Sequence, residues 1–169
     1  SVPPLTGLIS SVILLFGNSV FWVKFFPALF GALIIVVVWK TVEELKGGWF
    51  ALILAATCTI FSVFIRINTL YQPNSIDFLI WTTLFFILIK YINTEKNKWL
   101  YYAGVVFAIG FLNKYNVVFL LLGLAPALMF TPYRKVFTNR HFYFAAIIAF
   151  LVISPNLVWQ YKNNFPVVH

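Results

Sequence analysis

Arg66-Ile-Asn-Thr-Leu-Tyr-Gln-Pro-Asn-Ser-Ile-Asp77 is a polar island that runs straight into Phe78-Leu-Ile-Trp-Thr-Thr-Leu-Phe-Phe-Ile-Leu-Ile-Lys-Tyr91. The second stretch is continuously apolar, without the alternation that a barrel wall needs. Such a segment reads as a helix in hydrocarbon, where a core of roughly 30 Å takes about 20 helical residues to cross. Asp77 is the only aspartate of the chain and stands at the mouth of this segment. A carboxylate at the rim of an apolar bundle is costly unless something pairs with it. Any chemistry is therefore expected to run through that residue.

The same pattern extends in both directions. Of 169 residues, 62% are hydrophobic and only 9% charged, with a mean hydropathy of +0.94, which excludes an ordinary soluble globule. Six spans are expected, from about Phe21 to Trp39, Trp49 to Ile65, Asp77 to Tyr91, Trp99 to Leu112, Val117 to Phe130 and Phe142 to Trp159. Trp and Tyr at many of their ends fit an interfacial aromatic belt. The fourth and fifth are short and are separated only by Asn113-Lys114-Tyr115-Asn116, as in a hairpin with its tip in the headgroup layer. Ahead of them, Pro3-Pro4 opens an apolar stretch ending at Phe16-Gly17-Asn18. Proline suits a first helical turn, but about a dozen residues at 1.5 Å each do not cross a bilayer, so a short helix lying in the interface or dipping partway in is expected, with a truncated span as the competing reading. The fold class is thus all-α integral membrane, one transmembrane region over residues 1–169 with no separate soluble domain.

Alternating the sides of these spans separates the charges. Lys40, Lys46, Lys90, Lys96, Lys98, Arg134, Lys135 and Arg140 fall on one side, eight of the twelve Lys and Arg residues. Lys24, Arg66, Lys114 and Lys162 fall on the other. The positive-inside rule makes the first side cytoplasmic. The net charge of +8 then reads as a topology signal and as contact with anionic membrane lipids, not as a nucleic-acid surface. Cys58 is the single cysteine and lies in an apolar run, so no disulfide framework exists, and the two widely spaced histidines offer no metal motif.

The outer side holds one acid and a collection of amides and isolated cations: Asn18, Lys24, Arg66, Asn68, Tyr71, Gln72, Asn74, Ser75, Asp77, Asn113, Lys114, Tyr115, Asn116, Asn156, Gln160, Lys162, Asn163 and Asn164. This suits a ligand with a hydrophobic tail and an anionic head. Lys114 offers a point charge and Arg66 a planar fork for phosphate oxygens, while Asn, Gln and Tyr suit sugar hydroxyls. Plainer roles compete. Asn74 to Asp77 has capping-box spacing, with Asn74 as cap and Asp77 at N3. Lys114 could be a cation snorkelling at a helix end, and Arg66 and Lys24 topological anchors.

Several stretches resemble, in order, the membrane glycosyltransferases related to dolichyl-phosphate-mannose protein mannosyltransferases (glycosyltransferase family 39). They are Pro3-Pro4-Leu5, Gly17-Asn18 followed by Val23-Lys24-Phe-Phe-Pro-Ala-Leu-Phe-Gly31, and Gln72-Pro-Asn-Ser-Ile-Asp77. Gly110-Phe-Leu-Asn-Lys114-Tyr115 and Pro155-Asn-Leu-Val-Trp159-Gln160 complete the series. The bacterial branch that includes the lipid A aminoarabinose transferase looks closest. The resemblance implies a GT-C enzyme in the bacterial inner membrane, with its active side periplasmic or extracellular. Such an enzyme takes a sugar from a polyprenyl-phosphate donor and passes it, with inversion, to a lipid, glycan or protein acceptor. It implies a catalytic carboxylate in a first outer loop, expected upstream of Pro3-Pro4 and so missing here, as is the C-terminal part. Asp77 matches a second acidic position and is the catalytic candidate, and Lys114 matches a position near the donor phosphate. Arg66, Tyr71, Gln72, Asn74, Tyr115 and Gln160 are the further substrate-binding candidates. No residue is assigned to a metal, although the resemblance leaves a divalent ion open. Lys24 stands where the family more often has Arg, which weakens bidentate recognition there. The competing readings are a transporter or lipid flippase for polyprenyl-linked substrates and a non-catalytic membrane scaffold. Transport sites are built near the midplane, and the span segments lack a central Asp, Glu or Arg.

Overall fold

The computed structural model describes residues 4–17 and 19–164; Pro3, Asn18 and His169 lie outside the described residues. Among the described residues the chain is helical throughout, with no strand. Its elements are α1 (Pro4–Leu15), α2 (Val20–Glu44), α3 (Trp49–Ile60), α4 (Phe64–Ile67), α5 (Pro73–Thr94), α6 (Lys98–Asn113), α7 (Val117–Met129), a 3₁₀ helix (Pro132–Thr138) and α8 (Arg140–Lys162).

Three helices, α2, α5 and α8, are long and apolar enough to cross a membrane. Local chemistry explains their bounds. Ser19 caps α2, its hydroxyl accepting from the Phe21 amide at 3.2 Å. Pro73 occupies the first turn of α5, where a missing N–H costs nothing. Asn139 caps α8, accepting from the His141 amide at 3.0 Å. Pro155 inside α8 deprives the Leu151 carbonyl of its donor four residues on, and the Ser154 hydroxyl supplies one at 2.8 Å. The 12-residue α1 is the expected short helix, about 18 Å long at 1.5 Å per residue. It ends where Gly17 turns left-handed at φ 102°, a conformation that glycine adopts without strain.

The other candidate spans are shorter than the sequence suggested. The expected helix from Trp49 to Ile65 breaks after Ile60, leaving α3 with 12 residues. Thr59 and Ser62 direct their hydroxyls at backbone groups: Ser62 donates to the Thr59 carbonyl at 2.7 Å and accepts from the Phe64 amide at 3.2 Å. Those bonds stop one helix and start the one-turn α4. Helix α6 has 16 residues and α7 has 13. Beyond α7 the chain bends by 115° into the 3₁₀ helix, with Pro132 in its first turn.

Hydrogen bonds sort the helix ends into two groups. At one end the α6–α7 turn meets the start of α5 and the last turns of α8. At the other, Asn93 of α5 reaches the Glu44 carbonyl and carboxylate, and Lys90 pairs with Glu44. There too Asn139 reaches Asn97 at 2.8 Å, and Tyr101 meets His141. Lys40, Lys90, Lys98 and Arg140 belong to that second end, in keeping with the charge split.

Between the ends, Ile76, Ile80, Leu84, Val117 and Leu120 form a buried cluster under α6. Helices α6 and α8 touch through small residues. A Cβ built on Gly104 would lie 2.6 Å from the Ala145 carbonyl oxygen, a backbone atom that cannot swing aside. Gly104→Val is therefore expected to lower stability by about 1–3 kcal/mol, read as a fall in the thermal midpoint in detergent. An unchanged midpoint would mean that this helix pair does not limit stability.

Candidate functional site

The site is assembled by the four-residue turn Asn113-Lys-Tyr-Asn116 leaning over the first turns of α5. Asn113 ends α6 and is fully buried. Its amide donates to the Pro73 carbonyl at 3.0 Å, tying the end of α6 to the first turn of α5. Next, the Lys114 ammonium donates to Asn74 Oδ1 at 3.0 Å. Asn116 Nδ2 then donates to Asp77 Oδ2 at 2.8 Å. Asn74 and Asp77 are three residues apart, hence on one face of α5. The turn thus lays a cation and an amide along a single helical stripe, beside a carboxylate that is only 8% exposed.

The capping-box reading fails on this geometry. The cap of α5 is Gln72, extended at φ −151°, and its side chain makes no capping bond. With Pro73 as first helical residue, Asn74 and Asp77 lie two positions further into the helix than that motif requires. Both side chains are therefore free to meet the turn.

The second layer ties α8 to the same turn. Tyr115 donates its hydroxyl to Asn156 Oδ1 at 3.0 Å and accepts from Gln160 Nε2 at 2.8 Å. Gln160 is buried at 5% exposure. Tyr115→Phe is expected to destabilise the fold by about 1–3 kcal/mol, because it strands two polar side chains in a poorly hydrated place. A thermal-unfolding midpoint equal to that of the unaltered protein would contradict this.

The remaining candidates lie apart. Arg66 is exposed on α4, and Tyr71 is turned toward α1, its hydroxyl 2.9 Å from Ser10 Oγ and 3.3 Å from the Thr6 carbonyl. The structure thus brings together Asn74, Asp77 and Lys114, and joins Tyr115 to Gln160. It adds Asn113, Asn116 and Asn156, which the sequence offered only as members of a polar run.

Four buried oxygens of this region have no hydrogen-bond partner: Asp77 Oδ1, Asn113 Oδ1, Asn116 Oδ1 and Gln160 Oε1. All are acceptors, so the open capacity of the cluster is for hydrogen donors. Asp77 makes no ion pair with Lys114, which leaves the ammonium with hydrogens to give. A donor-seeking carboxylate in one cluster with an ammonium held only by an amide oxygen suits a ligand carrying hydroxyls and a negative group. No three His, Cys, Asp or Glu side chains converge among the described residues. In the half of the bundle away from the cluster, a cleft of about 340 Å³ runs among α5, α6, α7, α8 and the 3₁₀ helix. Leu84, Leu120 and Ile153 lie at its near edge and Tyr91 and Phe142 at its far one.

A family model described as dolichyl-phosphate-mannose-protein mannosyltransferase matches residues 1–159. Neither the curated proteins nor the solved structures gave a match.

Proposed function

Because the chain belongs to the dolichyl-phosphate-mannose-protein mannosyltransferase family of membrane glycosyltransferases, we propose that it transfers a sugar from a polyprenyl-phosphate-linked donor. The acceptor is a lipid, glycan or protein at the outer face of a bacterial inner membrane. The observation that carries this reading is the paired contact of the α6–α7 turn with α5: Lys114 on Asn74 and Asn116 on Asp77. The chain passes the membrane six times, a topology supported by the sorting of helix ends into two groups.

In this reading the acceptor hydroxyl attacks the anomeric carbon, forms the new bond there and gives up its proton to a general base. The bond from that carbon to the phosphate oxygen breaks, its electron pair stays on the phosphate, and the configuration inverts. Lys114 offsets the charge gathering on the leaving phosphate. Its tether to Asn74 limits the freedom that a long side chain otherwise loses on binding. The open oxygen of Asp77 accepts from a hydroxyl and orients the group that carries it. Arg66, exposed on α4, guides the anionic donor; Tyr115 and Gln160 brace the turn against α8, while Gln72 opens α5 and Tyr71 ties the preceding loop to α1. The apolar cleft takes isoprenoid chain.

The test uses the complete protein in vesicles loaded with a radiolabelled polyprenyl-phosphate sugar. Label moving from the prenyl lipid into an acceptor fraction is the expected result. Label that crosses the bilayer still attached to its lipid would replace this reading with transport.

A further inference from the structure

We propose that Asn116 is the positioning residue of Asp77: its amide pins one carboxylate oxygen and leaves the other as the acceptor for a substrate hydroxyl. This rests on the reading of Asp77 as part of a transferase site.

The direction of the bond is fixed by chemistry. A carboxylate only accepts, so the Asn116 atom 2.8 Å from Asp77 Oδ2 is the amide nitrogen. The side chain of Asn116 has no local role. It precedes α7 with helical dihedrals, φ −63° and ψ −17°, not the extended ones from which a cap side chain accepts, and it makes no capping bond. Its own Oδ1 is buried without a partner. Turn carbonyls already take the first amides of α7, Val118 N–H donating to the Tyr115 carbonyl at 3.1 Å and Phe119 N–H to the Asn116 carbonyl at 2.9 Å, so the side chain has no capping to do. Instead the side chain spends its hydrogen on a residue 39 positions away.

The consequence for Asp77 is an asymmetric carboxylate. Oδ2 is held by Asn116, while Oδ1 is buried and unpaired. The charged groups at this end of the surrounding elements are Lys114 on the turn, Arg66 on α4, Lys24 on α2 and Lys162 on α8, and among the described residues none forms an ion pair with it. Rotation about the last side-chain torsion would exchange the two oxygens, and the bond to Asn116 opposes that rotation. Neighbouring side chains hold the turn that carries Asn116: Asn113 fastens it to the Pro73 carbonyl, and Tyr115 fastens it to α8. The open oxygen is thus aimed by a chain of three contacts that reach α5, α6 and α8.

Three variants of the complete protein, assayed for kcat, KM and thermal midpoint, separate positioning from packing. N116A deletes the donor and is expected to lower kcat about tenfold, with KM for the prenyl donor little changed, as expected for a hydrogen bond to a charged group. N116D keeps the shape but faces an oxygen to an oxygen, and is expected to lower kcat about a hundredfold. The exchanged pair D77N/N116D restores a donor–acceptor contact with reversed polarity. It is expected to recover the midpoint lost in N116D but not the turnover. N116D retaining more turnover than N116A would show that volume, not the donor, matters, and would overturn the proposal. So would effects confined to KM, or turnover restored in the exchanged pair. D77N alone, at unchanged turnover, would overturn the site reading itself. An inactive D77N combined with an indifferent N116D would overturn only the role of Asn116.

Discussion

Asp77→Asn is expected to reduce sugar transfer at least about a hundredfold, the scale on which a preorganised electrostatic contact acts in an active site, while membrane insertion and thermal midpoint stay close to those of the unaltered protein. The substitution keeps size and shape, and the new side-chain oxygen still accepts from Asn116 Nδ2. What disappears is the negative charge and the second acceptor, the one that is buried and unpaired. The structural alternative gives the opposite forecast. Were Asp77 present to cap α5, its loss would appear in stability before activity. That role is already taken from it, since the cap is Gln72. The measurement is kcat in membranes with the prenyl-linked donor, alongside the midpoint of the purified protein. Turnover within about threefold of normal, a change too small for a lost hydrogen bond to a charged group, would remove Asp77 from the chemistry.

Much of the fold is legible in the composition because bilayer-spanning helices announce themselves by continuous hydrophobicity. Proline at position 4 and glycine at 17 bracket α1 for reasons of backbone geometry alone. The break after Ile60 is not legible in the same way. Thr59 and Ser62 can hydrogen-bond the backbone within a helix or outside it, and the sequence does not say which wins. The extent of the second span suffered for that reason, since hydropathy continues across a break that ends the helix. Asp77 and Lys114 stand out as isolated charges in polar islands. Their partners do not, because Asn116 and Asn74 lie 39 and 40 residues from the groups they bond. One signal was available: a proline that opens a helix puts the cap at the residue before it, which names Gln72 and frees Asn74 and Asp77.

Lys114→Ala is expected to raise KM for the polyprenyl-phosphate donor by about tenfold to a hundredfold, the worth of one hydrogen bond to a charged group. A smaller fall in kcat follows from unshielded charge on the leaving phosphate. The snorkelling alternative makes a different forecast, because a lysine that only reaches the headgroup layer is replaceable by any long cation. Here the ammonium is half-buried and held at 3.0 Å by Asn74 Oδ1, a single acceptor suited to a compact point charge. The guanidinium of Lys114→Arg is planar and wider, and cannot make that contact and meet the same phosphate oxygen. Lys114→Arg is therefore expected to recover only part of the lost affinity, with Lys114→Met near the alanine value. Asn74→Asp supplies the complementary test. A carboxylate in place of the amide pairs with the ammonium and competes with the phosphate for it, so donor KM should rise although the lysine is intact. Steady-state titration of the donor at two salt concentrations reads all four variants. Full rescue by arginine together with an indifferent Asn74→Asp would return Lys114 to the status of an interfacial anchor and leave the phosphate without its cation in this turn.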